Sequence, residues 1–128
     1  MEPTYHSFSL VLIDKRGSLP ARGEVIIFRA QGLKSKLVKR VAGVPGDTLV
    51  IRDGNLLVNG TVPEAYENIR FDEAGLLQTQ ITLKEKEYFV LGDNISESVD
   101  SRSTQVGIVL EDDIIGRLIP QHTIKEKL

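Results

Sequence analysis

Short runs of β-branched and aliphatic residues recur along this chain between breaks rich in glycine, proline, asparagine and aspartate, at 9–13, 24–29, 36–41, 48–52, 56–59, 87–91, 107–110 and 113–119. Runs of this kind read as strands, because branched and aromatic side chains fit a pleated, half-buried surface. No stretch longer than about ten residues repeats its apolar positions with a helical period. The pattern therefore predicts little helix, with one short helical turn over 111–115. Asp53-Gly54 and Asn59-Gly60 bracket Leu56 to Val58, and both pairs supply the positive φ angles that tight hairpin turns need. A hairpin or meander over 47–62 follows. Residues 63–86 are more polar and less regular, and read as an excursion between two β blocks with one strand over 76–83. The expected fold class is all-β, built of antiparallel sheets, in a single domain covering 1–128.

Composition narrows the function classes. A chain of 128 residues can bury one core and is too short for two. With 27% charged residues, 41% hydrophobic ones and a net charge of −2, it has neither the profile of a disordered chain nor the basic surplus of a nucleic-acid binder. Nucleic acid is not an expected partner. The absence of cysteine excludes disulfides and thiolate metal sites, and His6 and His122 lie far apart, so no metal is expected. Residues 93–100 are dense in oxygen side chains but lack the alternating acidic pattern and terminal glutamate of an EF-hand calcium loop. The longest apolar runs, such as 10–13 and 25–28, fall far short of the roughly 20 residues of a membrane span. Glu2 and Pro3 directly after Met1 do not begin a signal peptide. Any membrane segment would precede residue 1.

Lys39 is the most informative position. In a strand over 36–41, Leu37, Lys39 and Val41 share a face. A lysine between two aliphatic neighbours either snorkels to water at an edge or is buried and held neutral by desolvation, and only the second makes a base. The pattern by itself favours the first.

The residues around Lys39 change that balance. Lys39 to Asp47 matches K-R-V-x-G-x-P-G-D. Met1 to Thr4 matches the end of S-M-x-P-T, Arg22 to Phe28 is similar to G-D-I-V-V-F, and Gly92 to Arg102 matches G-D-N-x-x-x-S-x-D-S-R. These four boxes stand in the order they have in the type I signal peptidases (leader peptidases), and the resemblance spans residues 1 to about 119. The short excursion is similar to that of the smaller, Gram-positive-type enzymes.

The resemblance implies coiled antiparallel sheets of the signal-peptidase and LexA-like type, and a serine endopeptidase that cuts N-terminal signal peptides from secreted preproteins without a cofactor. It implies a nucleophilic serine with Lys39 as general base. That serine would fall just before Met1, so the chain would be truncated immediately after it, bind peptide weakly and cleave nothing by itself. Ser7 and Ser9 match turn and strand positions and do not replace it. Ser98 matches the serine whose hydroxyl orients the lysine amine. Asp93 and Asn94 are expected to fix the turn after the 88–91 strand through side-chain to backbone bonds, and Asp100 and Arg102 to face the same way along an extended segment and hold the loop together. Met1, Tyr5, Leu37 and Val38 match substrate-pocket positions. The implied partners are signal peptides and, through an upstream anchor, the membrane surface, with the catalytic domain on the extracytoplasmic face of the cell membrane. Phe8-Ser9, Ile95 and Ser103-Thr104-Gln105 depart from the family pattern. Three alternatives carry less weight: a non-catalytic homologue serving as an assembly factor, which would have no reason to keep Lys39; a LexA-like self-cleaving repressor, a class that lacks the G-D-N to D-S-R box; and a plain β-barrel ligand-binding module, which accounts for the strands but none of the boxes.

Overall fold

The computed structural model describes residues 8–13 and 17–120. Its strands are β1 (Phe8–Leu12), β2 (Val25–Ala30), β3 (Ser35–Gly43), β4 (Thr48–Arg52), β5 (Asn55–Val58), β6 (Ile81–Thr82), β7 (Glu87–Leu91), β8 (Val109–Leu110) and β9 (Ile114–Pro120). They form a six-stranded sheet in the order β1-β9-β2-β3-β7-β8 and a three-stranded sheet in the order β5-β4-β6. Every strand pair is antiparallel, and the remaining regular structure is short 3-10 turns. The fold is all-β, as the recurring short runs predict.

Local chemistry explains the joints. In the β4–β5 hairpin Asp53 and Gly54 both take positive φ, 52° and 82°, the geometry that matches the twist of the flanking strands. Asn59 and Gly60 repeat it at 54° and 88°. The strand expected over 76–83 is mostly absent: Gly75–Gln78 forms a 3-10 turn that drives Leu77 into the core, leaving only the two-residue β6. The run expected at 107–110 shortens to β8 because Gly107 takes a φ of 61°. The helical turn expected over 111–115 is a 3-10 turn at Glu111–Asp113.

Two apolar clusters meet along β3 and β7. One gathers Leu49, Ile51, Leu56, Phe71, Leu77 and Leu83 with Ala42, Phe89 and Leu91; the other gathers Ile26, Phe28 and Ile114 with Val41, Tyr88 and Val90. Successive β7 side chains thus enter opposite clusters, the period of two expected of a strand, and β7 is buried on both faces. Strand β3 pairs with β2 over Ser35 to Arg40 but with β7 only from Arg40 onward. Among the described residues, the other edge of β3 has no strand partner over 35–39. No helix among them is long and apolar enough to cross a membrane.

Candidate active site

The end of β7 lies beside Lys39. Lys39 is opposite Ile26 in β2, and it alternates with Leu37 and Val41, which pack on the cluster containing Ile26. The lysine is half-buried on this apolar face, and its Nζ donates a 2.9 Å hydrogen bond to Ser98 Oγ. Among the described residues no carboxylate lies within ion-pair distance of Nζ.

Gly92 makes that contact possible. Arg40 is opposite Leu91, so the antiparallel register carries Gly92 alongside Lys39. A Cβ on Gly92 would run into Ser98 Oγ and Cβ and would sit 3.4 Å from Lys39 Nζ. Only a residue without a side chain lets Ser98 approach the amine.

The loop that presents Ser98 is clamped from within. Asp100 is 1% exposed. Its carboxylate accepts Gly92 N at 3.0 Å, Arg102 N at 3.1 Å, Arg102 Nε at 2.9 Å and Arg102 Nη2 at 3.0 Å. Arg102 also donates to Ile95 O at 2.8 Å and lies over the Phe71 ring. The pair forms inside a turn closed by Ser103 N to Asp100 O, not along the extended segment expected. The reason is that the carboxylate binds the Arg102 backbone as well as its guanidinium. Ser101 is fully buried; its N–H donates to Val90 O and its Oγ accepts Val90 N, so it completes the hydrogen bonding of β7 where the strand partner ends.

Asp93 and Asn94 differ from expectation in their partners. Asp93 forms a two-pronged ion pair with Arg40, at 2.8 and 2.9 Å, and Arg40 also donates to Gly23 O. This ties the loop to the residue next to Lys39. Asn94 bonds the side chains of Glu97 and Ser96, because the local turn already has its backbone bond from Glu97 N to Asn94 O. Tyr66, at the end of a 3-10 turn (Glu64–Tyr66), packs close to these ion pairs and 6.1 Å from the Phe71 ring. Burial raises its phenol to about 12, with Arg40 opposing and Asp93 and Asp100 adding.

Leu37 and Val38 are both half-buried and, as neighbours in a strand, point to opposite faces of β3. Met1 and Tyr5 lie outside the described residues. Sequence reasoning passed over Gly92, Arg40 and Ser101 as site-builders, although all three stand inside the matched boxes. It also passed over the brace below β3. Asp47 accepts Arg22, the Val44 N–H and the Asn59 amide. Burial of this carboxyl opposes its ionisation, and those donors outweigh it, holding it below the usual carboxylate range. Among the described residues no group of histidine, aspartate and glutamate side chains is arranged to hold a metal ion.

Comparison with known proteins supplies the family. A profile described as signal peptidase, peptidase S26, matches residues 1–121. Signal peptidase I T of Bacillus subtilis is 34% identical, over 91% of this chain and 65% of its own length; signal peptidase I P of Bacillus subtilis subsp. natto is 32% identical, over 91% and 68%. The chain thus spans about two thirds of these relatives. A crystal structure of a signal peptidase I from Enterococcus faecalis superposes with a TM-score of 0.61 at 30% identity, covering 77% of this chain and 96% of that one. Sequence match, fold and the ordered boxes around Lys39 and Ser98 converge: the chain belongs to the signal peptidase family, peptidase S26.

Proposed function

We propose that these residues are the extracytoplasmic catalytic domain of a membrane-anchored serine endopeptidase that removes N-terminal signal peptides from exported preproteins. Lys39 is the general base, and a serine immediately before Met1 is the nucleophile. The observation that carries this reading is the 2.9 Å contact from Lys39 Nζ to Ser98 Oγ on an apolar face where, among the described residues, no carboxylate lies within ion-pair distance. The hydrogen bond donated to Ser98 holds the amine in one orientation, from which it can take the proton of the attacking hydroxyl.

The chemistry then follows. The serine oxygen bonds to the substrate carbonyl carbon as its proton passes to Lys39 Nζ. The tetrahedral intermediate collapses, the C–N bond breaks, and Lys39 returns the proton to the departing amine. Lys39 then deprotonates a water whose oxygen attacks the acyl carbon; the ester C–O bond breaks and the proton passes to the serine oxygen. Substrate recognition uses β3. Val41 spends its N–H and C=O on Glu24 and Gly23, so by alternation those of Val38 point to the unpaired edge. An extended peptide adds there as a strand.

Two measurements test the reading. Serine before Met1 in the natural sequence, with an apolar span further upstream, supports it; another residue there sinks catalysis and leaves the non-catalytic homologue. In the full-length protein, Lys39→Ala is expected to lower turnover of a signal-peptide substrate by about a thousandfold or more. Retained turnover refutes Lys39 as the base.

A further inference from the structure

The flanks of β3 restrict where a bound peptide can go. On the reading above, the half of the substrate that becomes the acyl group lies along the open edge over 35–39. From Arg40 onward that edge is taken by β7, and Gly92 and Asp93 carry the chain across its end. A peptide extended beside β3 cannot continue straight past Lys39. Ser98, bonded to Lys39, stands where that edge closes.

On the far side of Ser98 is a cleft of about 460 Å³ between the 70–75 segment and the 95–103 loop. Ser98, whose hydroxyl holds the lysine amine, is one of its lining residues, so the cleft adjoins the site. Asp100 and Arg102, also in its lining, satisfy each other. Arg70 is held at one rim, donating to Asp53 O at 3.1 Å with its guanidinium close over Gly54. Asp72 and Glu73 are exposed on the lining, and among the described residues neither side chain has an ion-pair or hydrogen-bond partner. The unspent charge of the cleft is therefore carboxylate, opposed by the one tethered guanidinium.

We propose that this cleft is the subsite for the residues that follow the scissile bond, the first residues of the released protein, and that Asp72 and Glu73 make it prefer basic over acidic side chains there. The inference rests on the peptidase reading and names a specificity that reading leaves open. Because both carboxylates are exposed, each contact with a basic side chain is worth little, and the expected preference for lysine over glutamate is about fivefold in kcat/KM.

The test uses the full-length protein and peptides that span a signal-peptide cleavage site, identical except for Lys, Ala or Glu at the second and third positions after the scissile bond. The wild type is expected to favour the lysine peptide over the glutamate peptide by about fivefold, and a D72N/E73Q variant to bring that ratio close to one. A wild-type ratio near one, or a ratio unchanged in the variant, overturns the proposal. If the wild type cuts none of the three peptides, the peptidase reading itself fails and the subsite falls with it, an outcome distinct from a changed ratio.

Discussion

Asp100→Ala tests whether the loop bearing Ser98 is held by one buried carboxylate. The wild-type side chain is 1% exposed and accepts four hydrogen bonds, three from Arg102 and one from the Gly92 N–H. Removing it leaves the guanidinium, itself only 10% exposed, without its anion and the Gly92 N–H without an acceptor. Breaking a buried ion pair from one side costs about 3–5 kcal/mol. Unfolding entropy scales with length, so for a chain of 128 residues each kcal/mol corresponds to about 4 °C in Tm. The expected loss is on the order of 10–20 °C, measured by calorimetry or circular dichroism. Asp100→Asn preserves shape but turns an NH2 group toward Arg102, so it is expected to recover less than half of the loss. Asp72→Ala, an exposed carboxylate in the same cleft, is the control and should move Tm by no more than about 2 °C. A drop below about 4 °C for Asp100→Ala would mean that the loop is held elsewhere and not by these four bonds.

Three further outcomes follow from single groups. Gly92→Ala is expected to cost about 1–3 kcal/mol by overpacking against Ser98; Ser98→Gly, which deletes both colliding atoms, should restore most of that stability in the double variant, and a penalty that persists would move the conflict elsewhere. The Asp47 carboxyl is held below its ordinary 3.8 in the folded chain, so its stabilisation is complete above that value and is lost as pH falls through the lower folded value. The stability gap between wild type and Asp47→Asn should accordingly stay constant near neutrality and narrow in acid, and a gap independent of pH would contradict the brace. Tyr66, raised to about 12 by burial, contributes stability that is intact below its ordinary 10 and lost as pH rises through the folded value; in an absorbance titration the last phenolate step should vanish in Tyr66→Phe, and a step that remains belongs to another tyrosine.

Much of the fold was legible because its signals are local. The runs at 48–52 and 87–91 became strands over those same spans, and Asp53-Gly54 and Asn59-Gly60 took the positive φ their chemistry allows. The misreadings occurred where a non-local contact decided the conformation. Leu76 to Leu83 has the apolar content of a strand, yet Leu76 N bonds Arg102 O, and Leu77 drops into the core, a choice set by a loop some 25 residues away. In the candidate site, Lys39 and Ser98 were legible only through the family boxes. On a strand pattern alone, nothing distinguishes a lysine at an open edge from one held by a serine 59 positions later.

The same non-locality explains why so many matched residues surround so little chemistry. Lys39 presents one amine, but its surroundings are set by a loop that lacks regular structure of its own and must be fixed residue by residue. Ser101 extends the hydrogen bonding of β7, Asp100 holds the Gly92 N–H and Arg102, and Asp93 grips Arg40 beside the lysine. Each of these ties reaches β3, β7 or the loop itself, so the loop cannot shift as a body without breaking several at once. Gly92 then leaves the space in which Ser98 meets the amine. The D-N-x-x-x-S-x-D-S-R spacing is thus a folding requirement of a short turn over a strand end, and the orientation of the Lys39 amine is its product.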